Sequence, residues 1–546
     1  MLHKFSQDTR SAALTELNSQ TPFDLLIIGG GITGVGAARE AALRGYRVAL
    51  VEKRDFANGT SSKSTKLVHG GLRYLEHFEF SLVFEALQER RVLLDMAPHL
   101  VRPRSILFPI YKNAKNNFIK VSAGMWLYDT LSLFRNVRNH RMLRGKALKE
   151  STPALRSDDL IGAAHFYDAQ THDARLVLAN AQQAHEAGAT LLTYTEVLRM
   201  LRDEEEYLRG VRIRDQLTGT EHEIHARLIL NCTGPWTDKI IQMADPTVAP
   251  RLRPTKGVHL VLRKERLPLN DALMVSSPED GRLVFIIPWR NETIVGTTDT
   301  DYNDSLDDIP VTDEDVKYLL AVANHAFPNS HLTEHDVQSS WAGLRPLIKD
   351  PGAQSEGATS REHDIWESPA GLLNIAGGKL TTYRVMAEQL IDVAAEKLAQ
   401  RANITPKAGV NTKKRPLPGG EEPLPKFNST TTVSDEVWQH LVQYYGIYAV
   451  RLIEQVAKDE TLGERIITEL PYIWAELPYA IQYEQCLTAD DFLARRTWLI
   501  YEAPHRGAEV LDQTIKRMAH LLNWDHARCE QERARYLHQL SLLAGK

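Results

Sequence analysis

Asp24-Leu25-Leu26-Ile27-Ile28-Gly29-Gly30-Gly31-Ile32-Thr33-Gly34, followed by a second apolar run from Tyr46 to Val51 that ends on Glu52, is the stretch that decides the fold. The four apolar residues Leu25 to Ile28 read as a parallel strand buried on both faces. The glycines at 29, 31 and 34 then supply a tight turn, close approach of backbone to a pyrophosphate, and close packing of the following helix. Ala38, Ala41 and Ala42 keep one face of that helix small, and Gly45 ends it. Glu52 arrives where a carboxylate accepts hydrogen bonds from the hydroxyls of an adenosine ribose. Strand, turn, helix, strand and acid in register predict a unit that holds a dinucleotide, and with it redox chemistry.

A chain of 546 residues is too long for one core, so two or three domains are expected. The formal net charge of −5 gives no global basic field, and nucleic acid is not an expected partner. Cys232, Cys486 and Cys529 lie far apart without a CxxC spacing, which argues against disulfides and a zinc site and for a reducing, cytoplasmic setting. The opening MLHKFSQDTRSAALTELNSQ lacks the apolar core of a secretory leader. No stretch reaches the roughly 18 apolar residues of a membrane-spanning helix.

Residues 1–22 read as a polar extension and 23–400 as the oxidoreductase body, with nucleotide-binding and substrate-binding parts interleaved. Within the body, Asp173 is expected to cap a helix running through His185, with a strand from Ala189 to Val197 after it. EIHARLILNCTGPW is a strand running into the turn at Gly234. From about 254 to 300 the pattern changes to short apolar runs, Gly257 to Leu262, Leu283 to Pro288 and Thr293 to Gly296, which predict an antiparallel second layer. Residues 403–433, rich in Pro, Gly, Lys, Ser and Thr, read as a linker. From 434 to 546, apolar residues recur at helical spacing, notably over Glu436 to Ala457, Ala489 to Tyr501 and Ala508 to Leu522, and predict an all-α domain. The fold class expected is α/β: a Rossmann-like nucleotide-binding domain, an antiparallel-sheet substrate domain and the helical C-terminal domain.

Other segments carry candidate chemistry. TSSKSTKLVHGGLRYLEH, Thr60 to His77, offers hydroxyls, a lysine and glycines to phosphates and a flavin edge, with His69, Arg73 and Tyr74 within reach of a substrate. Thr233-Gly234 before Trp236 lets backbone approach a ligand, and Asp299 in IVGTTDT either holds hydroxyls or caps a turn. LLNIAGGKLTTY, Leu372 to Tyr383, is strand, double glycine and helix, whose free N–H groups suit the pyrimidine carbonyl of a reduced flavin. Arg345, Arg361 and Lys379, with Arg73 and Lys256, are cations able to form an anion pocket.

IIGGGITG, TSSKSTKLVHGGLRYLEH, DARLVLANA, NCTGPW, VGTTDT, WAGLRPL and GGKLTTYR together resemble the FAD-dependent, respiratory glycerol-3-phosphate dehydrogenases over about residues 23 to 400, with a helical C-terminal domain of the sort that family carries. The resemblance implies FAD as cofactor. It implies a cofactor site of Gly29, Gly31, Gly34, Glu52, Thr60, Ser61, Ser62, Lys66, Leu67, His69, Val197, Gly234, Trp236, Asp299, Gly378, Lys379, Leu380 and Thr381. It implies glycerol 3-phosphate on Arg73, Tyr74, Arg345, Arg361 and Lys379, with Lys256 and His259 as further contributors. His69 and Arg345 are the catalytic candidates: His69 has a suitable intrinsic pKa for a base, and a nearby cation instead stabilises a forming alkoxide. Electrons would pass to a quinone. The alternatives are an oxygen-using glycerophosphate oxidase, an amine oxidase of the same fold, and a non-catalytic nucleotide-binding scaffold.

From Lys112 to Lys146 there are eight Lys/Arg and one acid, Asp129, interleaved with Phe118, Trp126, Leu133 and Phe134. This composition suits either a basic amphipathic segment on an anionic membrane or a charged face over an internal helix. A cytoplasmic protein at the inner face of the cell membrane is expected, with a second copy of the chain kept among its partners.

Overall fold

The computed structural model describes all residues except 1–2, 18–20, 113, 115, 350–361, 410, 428–432 and 546. The opening motif forms the strand Phe23–Ile28 and the helix Ile32–Leu43, and the second run forms the strand Val48–Val51. Leu25, Leu26 and Ile27 have no solvent exposure, as strands covered on both faces require. Phe23–Ile28 lies at the centre of a parallel sheet between Glu221–Asn231 and Val48–Val51, with Ile28 opposite both Asn231 and Val51. Leu373–Gly377 and Thr190–Leu192 extend it in parallel, and His363–Glu367 closes one edge antiparallel. The helix Ile32–Leu43 packs on Asp173–Glu186 and Tyr383–Ala402. Small residues make that possible: a Cβ at Gly36 would sit 3.2 Å from the Tyr383 ring and 3.3 Å from Ala387.

The second layer is a ten-stranded sheet. Its centre is the expected antiparallel set, Leu252–Arg263, Glu292–Gly296 and Leu283–Trp289. Three long strands join it from elsewhere in the chain: Val337–Ile348 pairs with Leu252–Arg263, and Val101–Tyr111 and Leu160–Thr171 pair with each other. One pairing, Ala272–Ser276 with Val101–Tyr111, is parallel, so the layer is mixed rather than purely antiparallel. Pairings between residues this far apart leave no local pattern for periodicity to report.

Several local expectations shift. The helix Asp173–Glu186 is capped by His172, whose ring accepts from the Arg175 amide, because the Asp173 carboxylate is taken by Lys66. The strand expected over Ala189 to Val197 breaks into Thr190–Leu192 and Thr195–Arg202 at Tyr194, which has φ 53°. The 436–457 stretch is two helices, Asp435–Tyr445 and Ala449–Val456, parted at Gly446. The C-terminal helices share a core with the substrate sheet: Trp498, Tyr501 and Leu441 belong to the same buried cluster as Trp289, Trp341 and Ile287. Within 403–433, Leu417 is fully buried and its amide donates to the Met96 carbonyl, so that stretch is packed on the body in part. No helix among the described residues is long and apolar enough to cross a membrane.

Candidate active site

A cleft of about 390 Å³ opens at the C-terminal ends of the parallel strands, where open α/β sheets bind ligands. At one end are Gly29, Gly31, Ile32 and Thr33. Gly29 has φ 111°, and a Cβ on Gly34 would collide with the Gly29 carbonyl, so only glycine permits this turn against this helix. Gly31 caps the helix without a side chain of its own; Ser61 Oγ accepts from the Ile32 amide at 2.9 Å, and the helix N-terminus with its remaining N–H groups lies at the cleft. The Glu52 carboxylate accepts from the Gly30 amide at 2.7 Å and the Arg54 amide at 2.9 Å, which fixes it at the cleft wall; burial raises its pKa. The cleft continues past Asn58–Ser61, Thr195–Val197 and Thr233–Trp236 to Pro346 and Gly377–Leu380, which border the substrate sheet. A helix N-terminus, a carboxylate fixed at the wall and a trough leading to a second domain fit a dinucleotide whose far end reaches that sheet.

Eleven of the cofactor candidates line this cleft: Gly29, Gly31, Glu52, Thr60, Ser61, Val197, Gly234, Trp236, Gly378, Lys379 and Leu380. Seven are not among its lining residues. Gly34 lies beneath the Gly29 carbonyl, and Ser62 and Leu67 are buried. Lys66, fully buried, spends its ammonium on Asp173 at 2.5 Å and on the Ser62 carbonyl at 2.6 Å; its role is to tie the loop to the helix Asp173–Glu186. Thr381 bonds the backbone of His69 twice, accepting from its amide at 3.1 Å and donating to its carbonyl at 3.2 Å, so both residues brace the wall. Asp299 holds Arg345. Ser64, one of the hydroxyls of the Thr60–His77 stretch, also lines the cleft, as do Thr195, Lys53 and Asp307, which the sequence does not single out. Lys53 adjoins Glu52 and could have been suspected; Asp307, which pairs with Lys53 and accepts from the Trp236 indole at 3.0 Å, carries no sequence signal.

On the substrate sheet, Arg345 stands opposite Thr255. A Cβ at the neighbouring Gly257 would lie 2.6 Å from the Arg345 guanidinium, so glycine makes the room that this side chain fills. The guanidinium donates to Asp299 at 2.9 Å, Thr297 Oγ1 at 3.0 Å and the Thr298 carbonyl at 3.1 Å. His259 shares this face: its ring stacks on Trp341 at 4.9 Å, and Nε2 lies 2.9 Å from Thr65 Oγ1. Burial, then the charges of Arg345 and Lys66, hold its pKa well below the ordinary histidine value, so it is a neutral imidazole. Lys256 does not join them. It faces the opposite side, where its ammonium meets Asp315 of the helix Asp313–Ala326 at 2.6 Å. Lys256 and His259 are three apart on one strand, so alternation sends them to opposite faces.

The HGGLRY loop adjoins Lys379 at the end of the cleft. Gly71, with φ 77°, starts a short helix Leu72–His77 that carries Arg73 and Tyr74, and the Lys379 ammonium sits 3.6 Å from the centre of the Tyr74 ring. The loop is anchored from below, where the Gly70 amide donates to Tyr128 Oη at 3.0 Å and Tyr128 donates to the buried Asp168 at 2.8 Å. Arg361 lies outside the described residues. The arrangement gathers cations, a neutral imidazole and a half-buried histidine at the end of a nucleotide cleft, which suits an anionic substrate presented to a redox cofactor.

Residues 24–384 match the family model described as FAD dependent oxidoreductase, and residues 410–529 match one described as the C-terminal domain of alpha-glycerophosphate oxidase. The chain is 37% identical to the aerobic glycerol-3-phosphate dehydrogenase of Bacillus subtilis, over 100% of this chain and 98% of that protein. It is 36% identical to the mitochondrial glycerol-3-phosphate dehydrogenase of Mus musculus, over 96% of this chain and 74% of that protein. Among solved structures it is similar to the glycerol-3-phosphate dehydrogenase from Bacillus halodurans complexed with FAD, with a TM-score of 0.81 and 31% identity over 98% of each chain.

Proposed function

This chain belongs to the family of FAD-dependent oxidoreductases that includes the aerobic glycerol-3-phosphate dehydrogenases, and we propose that it oxidises the C2 alcohol of sn-glycerol 3-phosphate to dihydroxyacetone phosphate. The observation that carries this reading is the Arg345 guanidinium, held by Asp299, Thr297 and Thr298 on the strand whose next residue, Pro346, lines the cleft. Bound in the cleft, FAD would supply the two-electron acceptor for the C2 hydride, with a quinone as the proposed onward acceptor.

The substrate's phosphate carries nearly two negative charges and needs fixed donors. Arg345 offers a guanidinium already oriented by its neighbours; Lys379, over the Tyr74 ring, and Arg73, on the same short helix as Tyr74, would complete the charge. Tyr74, beneath the Lys379 ammonium, limits where that charge can go. Oxidation also releases the hydroxyl proton. We assign its acceptance to His69, whose backbone Thr381 fixes beside the Gly378 turn. His259, held neutral by burial and flanking cations, is too weak a base for this and forms the wall behind Arg345.

Delivery to a quinone requires contact with lipid. In support, the helix Phe118–Leu131 and the turn after it expose Ile119 (80%), Trp126 (60%), Leu133 (53%) and Phe134 (54%). The one acid of that segment, Asp129, is buried against His140 at 2.8 Å, so its outward charge is basic. We propose that this surface lies on an anionic membrane.

The test is anaerobic mixing of purified protein with glycerol 3-phosphate, followed by reoxidation with quinone or oxygen. Flavin bleaching followed by fast quinone-driven recovery is expected. Fast recovery with peroxide release would favour the oxidase, bleaching by an amine alone would favour the amine oxidase, and no bleaching by either would sink the reading.

A further inference from the structure

The chemistry so far leaves the C-terminal helical unit without a task. One stretch of it, DFLARRTWLIYE at Asp491–Glu502, reaches two walls of the cofactor cleft. On the first, Arg496 grips the Asp55 carboxylate with two nitrogens at 2.5 and 2.9 Å, and Arg495 Nε meets the same carboxylate at 2.6 Å. Asp55 and Arg496 have no solvent exposure. Tyr501 Oη accepts from Lys63 Nζ at 2.8 Å. The Trp498 and Tyr501 rings pack on Trp341 at 5.7 and 5.2 Å, and the Trp341 indole donates to the Ser64 carbonyl at 3.2 Å. On the second wall, the Ile500 carbonyl accepts from Ser339 at 3.0 Å and the Glu502 carbonyl from Gln338 at 2.7 Å, both on the strand that carries Arg345.

The loop between Asp55 and Ser64 is thus gripped at both ends by the C-terminal unit, and its middle, Asn58–Ser61, forms a wall of the cleft. From the cleft side the same loop is bonded to the dinucleotide turn: the Ala57 amide donates to the Gly30 carbonyl at 3.1 Å, and Ser61 accepts from the Ile32 amide at 2.9 Å. A segment fastened on both sides transmits displacement from one to the other, since neither set of bonds survives if the loop moves alone.

We propose that Asp491–Glu502 is a positioning element for the cofactor: docking of the C-terminal unit sets the Asp55–Ser64 loop, so FAD occupancy and docking stabilise each other. Thermodynamic linkage makes the coupling reciprocal. The proposal rests on the reading of the cleft as the FAD site.

The test uses full-length protein stripped of flavin. Tyr501→Phe and Lys63→Met each remove the Lys63–Tyr501 bond while leaving the buried Asp55–Arg496 pair intact, so both variants keep the fold's main anchor. FAD dissociation constants are measured by flavin fluorescence, and hydrogen exchange over 491–502 is followed with and without FAD. FAD affinity is expected to fall about five- to tenfold in each variant. The double variant is expected to be no worse than either single one, because both delete the same contact. FAD is expected to slow exchange over 491–502 in the wild type and to slow it less in the variants. An affinity within about twofold of wild type in both variants overturns the inference, as does exchange indifferent to FAD. A wild-type protein that binds no FAD overturns the reading of the cleft, and this inference with it.

Discussion

Arg345 and Asp299 form one unit, with Nη1 of the arginine 2.9 Å from Oδ1 of the aspartate on the turn after the strand Glu292–Gly296. The pair is largely shielded, and Asp299 therefore orients the guanidinium as well as tempering its charge. Asp299→Asn keeps the shape and loses the ionic hold, so KM for glycerol 3-phosphate should rise by about tenfold with a smaller change in kcat. Arg345→Ala should cost about ten- to a hundredfold in kcat/KM, and steady-state kinetics showing neither effect would remove both residues from the substrate site.

His69→Asn preserves size and polarity but cannot take a proton. Its rate of anaerobic flavin reduction should drop by about a hundredfold, while substrate binding, read from the concentration dependence of that rate, changes little. Reduction as fast as in wild type would exclude His69 as the proton acceptor.

Lys256 separates the two faces of the substrate sheet. Lys256→Met should leave KM for glycerol 3-phosphate as it is, yet lower stability by about 3 kcal/mol because the buried Asp315 carboxylate keeps its Thr312 bonds but loses its counter-ion. Chemical denaturation and kinetics on the same preparation check both halves, and a large rise in KM would return Lys256 to the site.

Glu292 gives a pH signature. Burial, reinforced by Glu502, pushes its carboxyl up to about 9 from an ordinary 4.5. Between those values folding takes up a proton, so this residue's contribution to stability falls as pH rises through the window; below 4.5 the group is neutral folded or unfolded. Glu292→Gln is neutral throughout. Its melting temperature should exceed that of wild type at pH 8 and match it at pH 4, and a variant less stable at pH 8 would contradict this.

Trp126→Glu and Phe134→Glu place charge in the exposed apolar rim, away from the cleft. Flotation with anionic vesicles should be lost and activity with a soluble dye retained. Flotation equal to wild type in both variants would dismiss this surface as the membrane contact.

Much of the nucleotide end is legible in the chain because it is local: turn, helix N-terminus and ribose acid fall within 29 residues, Asp24 to Glu52, and backbone sterics alone demand the glycines. The cationic end is legible as composition only. Arg345 and Lys256 look alike on paper, and the odd spacing of Lys256 from His259 is the one clue that they part company. Lys66 looks like a phosphate ligand until its burial against Asp173 is known.

By itself the sequence determined that a dinucleotide is bound, where its turn lies, and which basic residues are available, since each follows from spacings shorter than a supersecondary unit. Tertiary structure decided what those residues face. The register of Leu252–Arg263 against Val337–Ile348 brings Thr255 opposite Arg345 and turns Lys256 away, and the contact of Asp55 with Arg496 joins residues 441 apart. Strand register and buried ion pairing are settled by packing among distant segments, where a one-residue slip would exchange every face, and no local pattern encodes that choice.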